Sequence, residues 1–223
     1  MCVNQEEERV KRYMPLVLLA LLALVAAQAG ATNLLINGSF QDNDFTGWTI
    51  GTTSNGTWGP GFPIVTGWPL GGGLNAAEGE AGEVSFTGQY EGGTLKQDFQ
   101  TTGGAATLSF MYAAMGNIDH GNADGGDFRL ILDGNVLQDF DVGAINQQQI
   151  ISGTLSANVN LSAGTHTFEI DVLRHYLGNS STPFQYVTGA DVEGNGVPEP
   201  GSLVLMGSGV LGLAGLLRRK LGF

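Results

Sequence analysis

Between residues 30 and 196, glycine and short polar clusters interrupt the chain at close spacing, and no amphipathic helix of useful length can be drawn through it. The segments left between these interruptions alternate. In Leu108-Ser109-Phe110-Met111-Tyr112 and in Phe128-Arg129-Leu130-Ile131-Leu132 every second residue is large and apolar, and Phe168, Ile170 and Val172 alternate with Thr167, Glu169 and Asp171. Successive strand side chains point to opposite faces, so this pattern predicts strands with one buried and one wet face. Asp133-Gly134-Asn135 lies between two such runs and supplies residues that accept positive φ in a tight hairpin, and Ser162-Ala163-Gly164 marks another turn. About nine to eleven strands fit this length, which predicts an all-β, antiparallel two-sheet sandwich.

The two ends read differently. Arg9, Lys11 and Arg12 precede an apolar run over residues 16–27, and Ala27-Gln28-Ala29 or Ala29-Gly30-Ala31 offers small residues at a cleavage site. That layout predicts a signal peptide over 1–29, used by the general secretion machinery, with Met1 or Met14 as the start. At the other end Val197-Pro198-Glu199-Pro200 is followed by an uncharged apolar stretch, 202–217, and then by Arg218, Arg219 and Lys220. Each proline fixes φ and biases its predecessor away from helix, so the first element is an extended segment that a protease can grip. The stretch predicts a transmembrane helix in the inner membrane, and the basic triplet holds its end on the cytoplasmic side.

The single cysteine, Cys2, precedes the apolar run and leaves with the signal peptide, so the exported domain has no disulfide or thiol chemistry. Residues 30–196 carry 17 acidic side chains against Lys96, Arg129 and Arg174, a net charge of about −14. Nucleic acid is excluded as a natural partner, because phosphate binding needs clustered Lys and Arg. Cations, neutral sugars or simple solubility remain.

The C-terminal order of Pro-Glu-Pro, apolar stretch and basic stop resembles the PEP-CTERM sorting signal. The resemblance implies processing by exosortase, a membrane-embedded cysteine transpeptidase of Gram-negative bacteria, with Glu199 as the recognition residue within 197–200 and residues 218–220 as the stop. It also implies cell-surface or extracellular placement and an association with exopolysaccharide and biofilm production. A plain C-terminal anchor is the other reading of the same tail, but it calls for neither the Pro-Glu-Pro nor the basic stop.

In the middle region, Asn33-Leu34-Leu35-Ile36-Asn37-Gly38-Ser39-Phe40 followed by Phe45-Thr46-Gly47-Trp48 resembles the opening of carbohydrate-binding-module-like jelly rolls of the galactose-binding-like kind. Ala190-Asp191-Val192 stands where that family often carries an Asp-Asp-Val-like segment. The resemblance implies a jelly-roll domain over 30–196 and a structural calcium between first and last strands, at Gln41, Asp42, Asp44 and Asp191, although Gln41 replaces the expected carboxylate. Asp119, Asn122, Asp124 and Asp127 form a second acidic cluster that turns oxygens toward a hard cation or stays a solvated loop. No other cofactor is expected.

Trp48 reads as core. Trp58 and Trp68 lie in a Gly- and Pro-rich stretch, where exposed rings present a flat face to a sugar, or else each covers one end of the sandwich. No nucleophile elbow, zinc helix or cysteine pair occurs, so no catalytic residue is assigned. The sequence therefore predicts a non-enzymatic surface protein whose domain binds extracellular polysaccharide. The alternatives are a structural matrix protein without a specific ligand, and a glycan-active enzyme built on a carboxylate pair.

Overall fold

A computed structural model describes residues 32–175 and 182–194. Signal peptide, sorting signal and membrane helix therefore lie outside the described residues. In order across the first sheet run β11 (Ile150–Leu161), β8 (Gly104–Met115), β13 (Phe184–Gly194), β5 (Asn75–Gly79) and β4 (Ile64–Gly67), with β1 (Thr32–Asn33) also paired to β13. The second sheet runs β10 (Asn135–Asp141), β9 (Asp127–Leu132), β12 (Gly164–Arg174), β7 (Glu91–Thr101) and β2 (Thr49–Thr52). A small ribbon pairs β3 (Gly56–Thr57) with β6 (Gly82–Glu83).

Every pairing is antiparallel, and from β7 onward the chain crosses between the sheets at each connection except the β9–β10 hairpin. This is an antiparallel jelly-roll sandwich. The described residues hold 13 strands, more than the alternation suggested. β1, β3 and β6 have two residues each, too few to show a period.

The alternating runs bury the face they predicted. Leu108 and Phe110 on β8, Phe128 and Leu130 on β9, and Phe168, Ile170 and Val172 on β12 are at most 1% exposed and meet between the sheets. Each such side chain contributes about 1.5–3 kcal/mol by leaving water. Trp48 joins them, its Nε1 donating to the Asn37 carbonyl at 3.1 Å. Asp133 and Gly134 take φ of 51° and 77°, as the hairpin requires.

Two turns at that end are tied together. His166 Nδ1 lies 2.7 Å from Asp133 Oδ2, and its Nε2 lies 3.0 Å from the Ser162 carbonyl and 3.4 Å from Ser162 Oγ. Ser, His and Asp in this order resemble a hydrolase triad, but the ring donates to a carbonyl instead of accepting the hydroxyl proton. It serves as a clamp.

The Asp133 hydrogen bond, and after it the Ser162 carbonyl, hold His166 above its ordinary pKa. Burial opposes ionisation of Asp133, yet the His166 and Thr167 hydrogen bonds keep it below the usual carboxylate range. A raised histidine pKa contributes stability that is complete below about pH 6.5 and is lost as pH climbs through the folded-state value. The urea midpoint of wild type is expected to fall between about pH 6 and pH 9 relative to His166→Gln. Parallel curves would remove the clamp.

Candidate functional site

A concavity lies where the loop after β1 meets a bulge in β13. Its volume is about 400 Å³, and Asn37, Ser39, Gln41, Asp42 and Asp191 line it. The register of β13 on β8 shifts between Thr188 and Asp191, where Gly189 takes φ of 60°. Ala190 donates its N–H to the Gly38 carbonyl at 2.9 Å, and its own carbonyl accepts Asn33 Nδ2 at 3.1 Å. Gly38 has to be glycine, since a Cβ there would stand 2.0 Å from the Ala190 oxygen. Asn33 Oδ1 accepts the N–H groups of Leu35 and Val192 at 2.9 and 3.1 Å, which pins the loop to the last strand.

Gln41, Asp42 and Asp191 line the same cleft, while Asp44 does not join them. Its Oδ1 accepts the Thr46 N–H at 2.8 Å, and Asn37 Nδ2 donates to its carbonyl at 3.0 Å, so it staples its own loop. Asp191 is the cleft's member of a set of acids, with Glu91, Asp127 and Asp171, that bury an oxygen unpartnered among the described residues. Its Oδ1 is buried with no hydrogen-bond partner among the described residues, and burial, then Glu193, raises its pKa. Among the described residues no group of three or more His, Cys, Asp or Glu side chains is arranged for a metal, so a cation here would depend on amide and carbonyl oxygens beside two carboxylates.

The tryptophan platform is overturned. Trp58 and Trp68 are 2% and 8% exposed, and neither ring presents an open face to a sugar. Trp58 sits against the backbone of Gly79 and Gly93, its Nε1 donating to the Gly51 carbonyl at 3.0 Å, and Trp68 packs with Ala76, Ala113 and Tyr186. Gly61, Gly67, Gly71, Gly72 and Gly73 of the Gly-rich stretch do face open space, but the two rings turn away from it into the sandwich, Trp58 where Gly79 and Gly93 on neighbouring strands leave room for it.

The second acidic cluster does not converge on a cation either. Asp124 Oδ1 accepts the Gly126 N–H at 3.0 Å, and its Oδ2 takes both the backbone N–H and Nδ1 of His175, at 2.9 and 2.7 Å. Asn122 Oδ1 accepts the Asp124 N–H, Asp127 pairs with Arg129 at 2.7 Å, and Asp119 is exposed. Asn122 Oδ1, both Asp124 oxygens and Asp127 Oδ2 are committed to protein donors, while Asp127 Oδ1 is buried without a hydrogen-bond partner among the described residues, so most of the cluster braces its own loop.

One arrangement had no sequence signal. On the outer face of the second sheet, Arg129 stands opposite Asp171, and Asp171 opposite Thr94. Lys96 Nζ is 2.7 Å from Glu169 Oε1. Glu169 and Asp171, two residues apart on β12, are 9% and 7% exposed, so the cations are the accessible partners and the acids the buried ones. Burial, then the charge of Glu169, pushes Asp171 up to about 7.

A carboxyl whose folded pKa exceeds its unfolded one disfavours folding progressively as pH rises from about 4 to 7. Asp171→Asn is expected to raise stability above pH 7 by about 1–3 kcal/mol while leaving it unchanged near pH 4. Urea melts at the two pH values check this, and a variant no more stable at high pH would refute it.

A family model described as the PEP-CTERM protein-sorting motif matches residues 196–220. A search of curated proteins finds no match. Similar solved structures include TmCBM61 in complex with β-1,4-galactotriose, at 12% identity over 73% of this chain and 98% of that one, TM-score 0.42. The K3 cleaved adhesin domain of Lys-gingipain from Porphyromonas gingivalis W83 follows at 16% identity, 72% and 98% coverage, and TM-score 0.44. The CBM22-1 xylan-binding domain of Paenibacillus barcinonensis Xyn10C has 12% identity, 77% and 99% coverage, and TM-score 0.40. At this level of likeness no ligand or activity carries over. Behind its jelly-roll sandwich this chain carries a PEP-CTERM sorting motif, and with it the mark of a surface protein processed by exosortase.

Proposed function

We propose that the precursor, exported by the general secretion machinery, is anchored in the inner membrane with its C-terminus cytoplasmic until exosortase acts. The sandwich then holds an extracellular polysaccharide at the cleft between residues 33–42 and β13. What supports the binding reading is Asp191: a buried carboxylate oxygen lacking a partner among the described residues, on the wall of a polar cleft that opens outward. Buried acceptors are costly unless a donor or cation meets them. A sugar hydroxyl supplies the first and calcium the second.

Calcium takes roughly six to eight oxygens, carbonyls included, so Asp42, Asp191 and Gln41 Oε1 would hold it together with backbone. The ion would neutralise the two carboxylates and accept sugar hydroxyls.

The test is co-sedimentation of the exported protein with the host's own extracellular polysaccharide, with calcium and with chelator, beside Asp42→Asn/Asp191→Asn. Retention of wild type that the double variant loses is expected. Equal retention of both would place binding elsewhere. The charge of about −14 favours the second reading, a structural matrix protein without a specific ligand, and no retention under either condition would establish it. Calcium is separately expected to raise the melting temperature of wild type and not of Asp191→Asn, since a ligand at 100 times its Kd adds about 2.7 kcal/mol to the folded state. No shift in wild type would remove the metal.

A further inference from the structure

Sheet edges carry unpaired backbone N–H and C=O groups, and proteins blunt them by shortness, charge or bulges. Three of the four edges of this sandwich are blunted. β4 and β2 have four residues each, and β10 carries Asp139 and Asp141 and a register shift after Val136. The fourth edge, β11, has none of these devices. It runs 12 residues without proline or charge and pairs with β8 along its whole length with no register shift. Its other side has no partner strand among the described residues.

The absence of charge there is local. The exported region holds 17 acidic side chains, yet residues 142–168 contain no Asp, Glu, Lys or Arg. Ser152, Thr154, Ser156, Asn158 and Asn160 alternate along the exposed face of β11, all small and neutral.

We propose that β11 is the interface on which two copies of this chain pair antiparallel about a two-fold axis, joining their first sheets into one. A second copy is the occupant that the charge pattern fits. In a symmetric pair an acidic edge would be laid against the same acidic edge of the other copy, and like charges brought opposite one another across a ladder are destabilising. The one long edge of a strongly acidic domain is the one that has none. A strand of this length offers a ladder of about 40 Å. β10, at the same rim, carries two carboxylates and a bulge, so the pairing stays within one sheet.

The exported, processed protein is expected to sediment at twice its monomer mass and Ser156→Lys at the monomer mass, with unchanged circular dichroism and melting temperature. In a scan of Thr154→Cys, Ser156→Cys and Asn158→Cys, the residue nearest the axis is expected to cross-link two chains by a disulfide when oxidised by dissolved oxygen or added oxidised glutathione, and its neighbours far less. The scan keeps the proposal testable should Ser156→Lys fail to fold. A wild type that stays monomeric at every concentration would overturn the interface. So would a dimer that is insensitive to Ser156→Lys and forms no cross-link at any of the three positions, and species larger than a dimer would overturn the two-fold pairing.

Discussion

Trp58→Ala is expected to lower the free energy of unfolding by about 3–5 kcal/mol, the range for removing a large aromatic from a packed core. The site cannot collapse easily around the loss. Trp58 is 2% exposed, and its ring occupies the volume that side chains would otherwise fill on two strands: a Cβ on Gly93 would stand 2.0 Å from Cε2, and one on Gly79 would stand 2.5 Å from Cε3. Its Nε1 bond to the Gly51 carbonyl adds β2 to the residues it holds. Removing the indole leaves a cavity walled by backbone and an acceptor without its donor, and both terms act in the same direction.

Denaturant unfolding followed by fluorescence and circular dichroism measures the loss. A loss below about 1 kcal/mol would show that the ring is not a core element. The same variant separates the two roles considered for this residue. A sugar platform would lose binding at unchanged stability, whereas a core residue loses stability, and polysaccharide retention by the remaining folded fraction is unchanged.

Replacement of Pro198 and Pro200 by alanine is expected to stop processing, so that the precursor accumulates as an uncleaved membrane protein. The matched motif spans 196–220 and begins two residues after Gly194, the last residue of β13. Each proline fixes φ, lacks a backbone donor and biases its predecessor away from helix, and the processing proposed above calls for such an extended recognition segment. Alanine frees φ and restores a backbone donor, which allows the helix-compatible conformation that a protease cleft does not accept. Immunoblots of membrane and extracellular fractions follow the outcome. Glu199→Gln, which keeps both prolines, tests the carboxylate alone and is expected to reduce processing. Normal processing of the double proline variant would remove the role assigned to the motif.

Much of the scaffold was legible because it is local. The period of two at Phe128, Leu130 and Leu132, and at Phe168, Ile170 and Val172, assigned strands and their buried face, and Asp133-Gly134 marked its hairpin. Gln41, Asp42, Asp44 and Asp191 were named together through a resemblance at the two ends of the domain, not through any local pattern, and all but Asp44 line the cleft. Asp44 failed to join them because the Thr46 N–H, two residues on, was the nearer partner. The glycine-rich stretch around Trp58 and Trp68 misled for a physical reason: its glycines at 61, 67 and 71–73 are exposed, but the rings beside them are buried, Trp58 in space left by Gly79 and Gly93 on other strands, which the local sequence does not show.

The chain by itself determined the strand period, the turns that need positive φ, the acidic balance and the sorting motif over 196–220, all of which depend on residues a few positions apart. Tertiary structure alone decided which strands become edges, which carboxylates lose water, and that Asp133 meets His166 and Asn33 meets Val192, pairs 33 and 159 residues apart. Those outcomes are set by register between distant strands, and a strand carries the same period of two wherever in the sheet it lies.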